Sequence, residues 1–438
     1  MSEKPIIAIV GRPNVGKSTL FNRLLRKRIA IEHDEPGVTR DRLYGEIEWN
    51  GVAFTLIDTG GLMTKAQEEM DALVSAAAEV AIEQSDRVVF VVDGKLGISE
   101  LDTQIARKVQ RHGKDVILAV TKVDTVTDKQ VIYEYYSLGL GDPIPVSGTS
   151  GLNTGNLLDA MTDKLERRLY EEEEDEIRLA ILGRPNVGKS SLVNKLLGQD
   201  LQIVSDIPGT TRDAIDHRLE YKGKRIVLVD TAGLRRTHMT GRAEELDYYT
   251  ALRTIRVLER CHVAAILIDS QDGLTQYERR LFDDIRQKGK GMLALYNKWD
   301  LVEKDEMTYK QVLDEFRFQL PDLSYVPMEF ISALTGKRTN IVLDRAVEIA
   351  ERRAQRISTS ELNSFFERVF ERTPPPSIKG KWLRMKYLTQ VSSNPPVISC
   401  FLNYPELVPD AYKRFLERRL REEYGFEGVP VRVVLRKK

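Results

Sequence analysis

The octapeptide "GRPNVGKS" stands at residues 11–18 and again, unchanged, at 183–190. GxxxxGK[ST] after an apolar run is the spacing of a loop that holds phosphate. Its glycines let backbone N–H groups close around the oxygens, and the following helix turns the positive end of its dipole toward them. In the first copy Gly11 and Gly16 shape the loop, Lys17 neutralises the outer phosphates and Ser18 offers a hydroxyl to Mg2+. Gly183, Gly188, Lys189 and Ser190 repeat these roles. Arg12, Pro13, Asn14 and Val15 complete the first loop, as Arg184, Pro185, Asn186 and Val187 complete the second.

Further motifs recur with the loops. At the same offset, 183 − 11 = 172, "DEPGVTRD" (34–41) returns as "DIPGTTRD" (206–213), and "DTGGL" (58–62) as "DTAGL" (230–234). Asp58 and Asp230 are strand-end carboxylates suited to the shell of Mg2+. The amides of Gly61 and Gly233 can approach a γ-phosphate because no Cβ intervenes. Thr59, Gly60 and Leu62, and Thr231, Ala232 and Leu234, make up the rest of this motif.

A base-reading motif follows. "TKVD" (121–124) matches "NKWD" (297–300), and "PVSG" (145–148) matches "FISA" (330–333), with the offset grown to 297 − 121 = 176. The Asp300 carboxylate can accept from both the N1–H and the 2-amine of guanine; adenine offers neither and leaves it unpaired. Lys298 can lie along the base face and Asn297 can tie the base to the phosphate loop, with Trp299 in the variable position. Lys122, Val123 and Asp124 repeat this in the first copy, where Thr121 replaces the asparagine. Threonine is shorter and lacks the amide, so one bridging hydrogen bond should be missing there. The first site should therefore bind GDP several-fold more weakly while keeping its preference for guanine. Ser147 with Gly148, and Ser332 with Ala333, bring a backbone N–H within reach of guanine O6.

Regular elements must position these motifs. The first copy has apolar runs "IIAIV", "AFTLID", "RVVFVVD", "DVILAVT" and "PIPVS"; the second has "RLAIL", "RIVLVD", "HVAAILID", "MLALYN" and "VPMEFIS". Helix-like stretches separate them. Such strands predict an α/β fold with a mostly parallel sheet covered by helices on both faces, and ligands held at the strands' carboxyl ends. A repeat this long is a duplicated domain.

The 438 residues exceed what one hydrophobic core organises. Apolar (42%) and charged (30%) fractions are those of a soluble globular protein, and no apolar run has the length of a membrane helix. The N-terminal run is too short for a signal sequence and reads as a first strand. Two cysteines, Cys261 and Cys400, fit a reducing cytoplasm as packing residues, and the five histidines have no metal-ligand spacing. Net charge is zero, yet residues 351–438 hold 18 Lys+Arg against 10 Asp+Glu, a local +8 that suggests a polyanionic partner. "EEEEDE" (171–176) reads as a solvated linker between the copies.

On these motifs the chain resembles the translation-factor-like GTPases. The paired G domains with a small basic tail resemble the Der (EngA) family of bacterial ribosome assembly factors. The resemblance implies two tandem P-loop G domains, 1–170 and 177–356, joined by the linker, and a KH-like α+β domain over 357–438. It implies hydrolysis of GTP to GDP with Mg2+ at each site, action on the large ribosomal subunit and its rRNA, a cytoplasmic monomer and no membrane. Thr39 and Thr211 would be the switch threonines, joining Ser18, Asp58, Ser190 and Asp230 around Mg2+. Lys17, Thr39 and Gly61, and Lys189, Thr211 and Gly233, would carry the chemistry. Leu62 and Leu234 stand where many small GTPases have a water-orienting glutamine. GTPases of this kind often place K+ near the β/γ-phosphates, with Asn14 and Asn186 as its ligands here. A hydrogen bond that shapes the loop is an equally open role for both asparagines.

In the tail, "SELNSFFERVFER" (360–372) begins an order αββαβ that resembles the family's KH-like domain. An RNA-binding KH module needs GxxG between two helices. "GFEG" (425–428) lies instead between a helix and a strand, and reads as a helix C-cap and turn. Either the tail's lysines and arginines contact RNA phosphates or its sheet packs on the G domains. Two other functions stay open: an RNA-binding module with incidental slow hydrolysis, and a tRNA-modification-type GTPase, against which the duplication argues.

Overall fold

Runs of valine, isoleucine and leucine are buried on both faces only in the middle of a covered sheet, and that is where these runs lie. The computed structural model describes residues 4–26, 44–59, 78–124, 126–163, 165, 176–198, 203–208, 215–230, 253–303, 308–375 and 382–437. The first sheet comprises β1 (Ile6–Val10), β2 (Tyr44–Trp49), β3 (Val52–Asp58), β4 (Arg87–Asp93), β5 (Asp115–Thr121) and β6 (Ile144–Pro145), in the order β2-β3-β1-β4-β5-β6. All its pairs are parallel except β2 with β3. Alternate residues feed two cores: Ala8, Val10, Val88 and Phe90 on one face, Ile7, Ile9, Val89 and Val91 on the other.

The second sheet comprises β7 (Glu176–Leu182), β8 (Ile203–Pro208), β9 (Ile215–Tyr221), β10 (Lys224–Val229), β11 (Val263–Asp269), β12 (Gly291–Asn297) and β13 (Met328–Phe330). Its order, β13-β12-β11-β7-β10-β9-β8, repeats the first and adds β8 at the edge. The parallel centres are the ten runs read from the sequence. The antiparallel strands β2, β8 and β9 are additions to that reading, because "YGEIEW" and "IDHRLEY" mix polar with apolar residues. The hairpin signals were present: Asn50-Gly51 and Lys222-Gly223 turn with φ of 50°, 77°, 51° and 74°.

The tail forms the expected αββαβ order: helix Thr359–Arg372, β14 (Met385–Ser393), β15 (Pro396–Leu402), helix Asp410–Tyr424 and β16 (Arg432–Lys437). Its core is continuous with that of the second G domain. Leu362, Phe366, Leu388, Ile398, Leu416 and Val433 share one cluster with Leu293, Leu295 and Ile349 around β12 and the helix Ile341–Ala354. The "GFEG" turn is part of the join. Gly425 caps its helix at φ 68°, Gly428 N–H donates to Tyr325 O (2.8 Å), and Gly428 O accepts from Met292 N–H (2.7 Å). A Cβ on Gly428 would lie 2.9 Å from Met292 O. The tail thus packs on the second G domain, which leaves the contact of its exposed cations with RNA open.

The chain divides into two compact units, residues 1–172 with 239–259, and 173–238 with 260–438. One residue of the acidic run departs from the linker reading. Glu176 opens β7, is buried, and pairs with Arg218 at 2.9 Å, so its charge is met by β9. Among the described residues no helix is long and apolar enough to cross a membrane.

Candidate functional site

Each phosphate loop leaves the carboxyl end of a central strand, β1 or β7, and enters a helix, Lys17–Arg26 or Lys189–Leu197. Glycine is obligatory at its start: a Cβ on Gly11 would lie 2.3 Å from Val91 O, and one on Gly183 2.6 Å from Leu267 O. Asn14 and Asn186 both have φ 63°, the left-handed conformation that asparagine tolerates best after glycine. Their exposed side chains make no hydrogen bond to any described residue, so backbone conformation rather than a side-chain bond explains asparagine there. Val15 and Val187 anchor the loops in the core.

Lys17 is 6% exposed, and its Nζ donates to Gly11 O (2.8 Å) and Arg12 O (2.7 Å). Its third N–H has no acceptor among the described residues. Burial lowers its pKa to about 8, partly opposed by Asp58 and Asp102. A dehydrated ammonium behind a cradle of glycines fits a polyanionic phosphate. Lys189 Nζ repeats the contacts, to Gly183 O (2.8 Å) and Arg184 O (2.6 Å).

This gives a signed pH dependence. Phosphate needs the charged lysine, so nucleotide affinity at the first site should hold below pH 8. Above it, affinity should fall toward tenfold per pH unit, roughly one proton being taken up on binding. Titration calorimetry in buffers of different ionisation heat measures that uptake. A flat profile through pH 9 would refute the reading.

Asp58 ends β3 opposite Ile9 of β1, and Thr59 Oγ1 donates to Ile9 O (2.8 Å). Asp230 falls one residue beyond β10, in the left-handed region (φ 59°), with its N–H on Asp216 Oδ1 (2.9 Å). No cluster of three metal-ligating side chains occurs among the described residues. One hydroxyl and one carboxylate, Ser18 with Asp58 or Ser190 with Asp230, are a donor set for Mg2+ carried on a nucleotide rather than caged by protein. Thr39, Gly60, Gly61, Leu62, Thr211, Thr231, Ala232, Gly233 and Leu234 lie outside the described residues.

The base motifs meet the phosphate loops directly. Asn297 Nδ2 donates to Val187 O (2.7 Å), and Asn297 Oδ1 accepts from Ala333 N–H (2.8 Å). That N–H, assigned from sequence to guanine O6, is here engaged by Asn297. In the first site Thr121 Oγ1 reaches Val15 O, and also Val92 O at 2.9 Å. No bond joins Thr121 to Gly148, so one of the two bridges is absent, as the shorter side chain predicts. The first helix runs close past Gly148: a Cβ there would lie 3.0 Å from Leu20 N. Ser147 Oγ and Ser332 Oγ accept from the N–H three residues on, Ser150 (3.0 Å) and Thr335 (3.2 Å), and Ser147 Oγ also donates to Asp124 Oδ1 (2.8 Å). Trp299 packs on Phe330, centroids 4.3 Å apart, and Val123 is buried.

Two pairs of functional carboxylates were missed in the sequence. Strand register sets Asp93 opposite Thr121 and Asp269 opposite Asn297. There they hold the motif lysines, Lys122 and Lys298, each at 2.6 Å. Lys122 Nζ also reaches Asn14 O (2.9 Å). Burial pushes the Asp93 carboxyl up, but hydrogen bonds from Lys122 and the Lys95 amide hold it below the usual range. The loop arginines are tied as well. Arg12 Nε meets Asp102 Oδ2 at 3.0 Å, and Arg184 Nε meets Glu278 Oε1 at 2.8 Å. Both acids close a capping box at the start of a helix. Glutamate is one methylene longer and engages both its oxygens, whereas Asp102 Oδ1 has no hydrogen-bond partner among the described residues. The signal was recurrence: "VVD" with "LID" and "SELD" with "TQYE" repeat at 269 − 93 = 176.

The family model described as "50S ribosome-binding GTPase" matches residues 6–122 and 178–298. The one described as "KH-domain-like of EngA bacterial GTPase enzymes, C-terminal" matches 356–436. The chain is 45% identical to GTPase Der of Moorella thermoacetica over 435 residues, 99% of each chain. It is 46% identical to GTPase Der of Desulforamulus reducens over 440 residues, 99% of this chain and 98% of the relative. Among solved structures, Aquifex aeolicus Era bound to GDP and AlF4− aligns at 19% identity, covering 60% of this chain and 93% of that one, with TM-score 0.30.

Proposed function

This chain belongs to the Der (EngA) family of GTPases, and from that premise we propose that it binds and hydrolyses GTP at two sites to govern its attachment to the large ribosomal subunit during assembly. The observation that carries the two-site reading is the contact of each phosphate loop with its own base motif. Thr121 on Val15 and Asn297 on Val187 join phosphate and guanine recognition in both sheets. We assign the first G domain to 1–170, the second to 176–356 and the KH-like region to 357–438, with the acidic linker ending at Asp175.

In each site the lysine of the loop, Lys17 or Lys189, neutralises the outer phosphates. Ser18 with Asp58, and Ser190 with Asp230, would hold Mg2+, joined by Thr39 and Thr211. The ion held there would supply neutralisation of phosphate charge. Asp124 and Asp300 select guanine, and Lys122 and Lys298 are held in place for the base by Asp93 and Asp269. The uncommitted side-chain oxygens of Asn14 and Asn186 support K+ as a further cation, and turnover in K+ against Na+ tests it. The family description and the basic tail support rRNA as the partner.

The tail's part can be tested without cutting into the shared core. Arg384, Lys386, Arg436 and Lys437 are exposed and make no ion pair among the described residues. Replacing all four by glutamine should weaken co-sedimentation with large subunits and flatten its log–log salt slope by about three, since fewer counterions are released. Nucleotide binding should be unchanged. An unaltered slope assigns the RNA contact elsewhere.

A further inference from the structure

The two base sites differ by one cation. After β4 the chain turns so that Lys95 N–H donates to Asp93 Oδ1 at 2.9 Å; after β11, Gln271 N–H donates to Asp269 Oδ1 at 3.0 Å. Lys95 and Gln271 therefore hold the same place in the two turns. Lys95 Nζ lies 2.9 Å from Asp124 Oδ2, on the carboxylate whose other oxygen takes the Ser147 hydroxyl at 2.8 Å. Asp300 makes no ion pair among the described residues, and glutamine has no charge to offer it.

Guanine presents two N–H groups to this carboxylate. The Ser147 bond is compatible with them, because each carboxylate oxygen has two acceptor positions. An ammonium on Oδ2 is a stronger rival, since it draws on the negative charge that makes the base contact strong. We propose that Lys95 sets the affinity of the first guanine site, by holding Asp124 Oδ2 before nucleotide arrives and competing with the base for it. The proposal rests on Asp124 being the guanine-reading carboxylate. The Lys95 bond, and after it that of Ser147, keep the Asp124 carboxyl below the usual carboxylate range, so the pair persists as an ion pair at neutral pH. With side chains 61% and 43% exposed, the pair is modest and screened by salt.

The sign of the effect separates this role from general electrostatics. Removing a positive charge near an anionic nucleotide should weaken binding; removing a competitor for Asp124 should tighten it. In the full chain carrying Lys189→Ala, which leaves the first site to be read alone, Lys95→Gln installs the side chain of the second copy. GDP binding followed by calorimetry should tighten about threefold at low ionic strength, and the gain should vanish near roughly 1 M salt. Unchanged or weaker binding overturns the proposal. Asp124→Asn supplies the control, because an amide matches xanthine's donor and acceptor and no longer pairs with the ammonium. In that background Lys95→Gln should leave XDP affinity where it was. Equal tightening there shows Lys95 acting elsewhere and overturns the proposal alone. Failure of Asp124→Asn to gain XDP binding overturns the base reading, and the proposal with it.

Discussion

Lys17→Ala and Lys189→Ala should each leave a folded chain with one guanine-nucleotide site instead of two. Each lysine sits behind the loop with its Nζ on two loop carbonyls, Gly11 and Arg12 or Gly183 and Arg184. Alanine removes the one side-chain ammonium placed for the outer phosphates. Losing charge-assisted hydrogen bonds to phosphate should cost about 3 kcal/mol or more, roughly a hundredfold in affinity. The fold should survive, because the hydrophobic packing of each loop comes from Val15 or Val187 and the lysine takes no part in it. Calorimetry with GDP should give a stoichiometry of one for either variant and none for the pair combined. Two sites of unchanged affinity in either single variant would falsify the assignment.

Asp300→Asn should convert the second site from guanine to xanthine. The carboxylate is the complement of two donors, N1–H and the 2-amine. An amide offers one acceptor and one donor, so its NH2 meets the guanine 2-amine head-on while pairing well with xanthine O2. The mismatch leaves polar groups unpaired against the base, and GDP affinity should drop by about a hundredfold, with XDP gaining in step. Asn297 should be unaffected, since its bonds go to Val187 O and Ala333 N–H. Read in a Lys17→Ala chain, retained GDP preference would show that another group selects the base.

What could be read directly from the chain was whatever depends on a few consecutive residues. Glycine at 11 and 183 is forced by a carbonyl 2.3 or 2.6 Å from where a Cβ would be, and asparagine at 14 and 186 is favoured by a left-handed backbone. Such requirements restrict residue type at a fixed spacing, so they survive as letters. Strands buried on both faces do the same, because a continuous apolar run has few other uses. The antiparallel strands β2 and β9 were harder: half-solvated strands tolerate polar residues, and only the Asn-Gly and Lys-Gly turns between hairpin arms marked them.

The long-range ion pairs of the sites needed the assembled sheets. Lys95 meets Asp124 across 29 residues and Arg12 meets Asp102 across 90. With 66 basic and 66 acidic residues, countless such pairs can be drawn on paper. Parallel register selects among them, by setting Asp93 beside Thr121 and bringing the turn after β4 against the turn after β5. The tail is the same case on a larger scale. Its order of helices and strands follows from local pattern, but its apolar faces do not name what covers them. Close packing answered that, by seating Gly428 between Tyr325 and Met292 where no side chain would fit. Local chemistry is written in residue types; the pairing of distant charges and faces is decided by strand register and packing, which act only once the chain is folded.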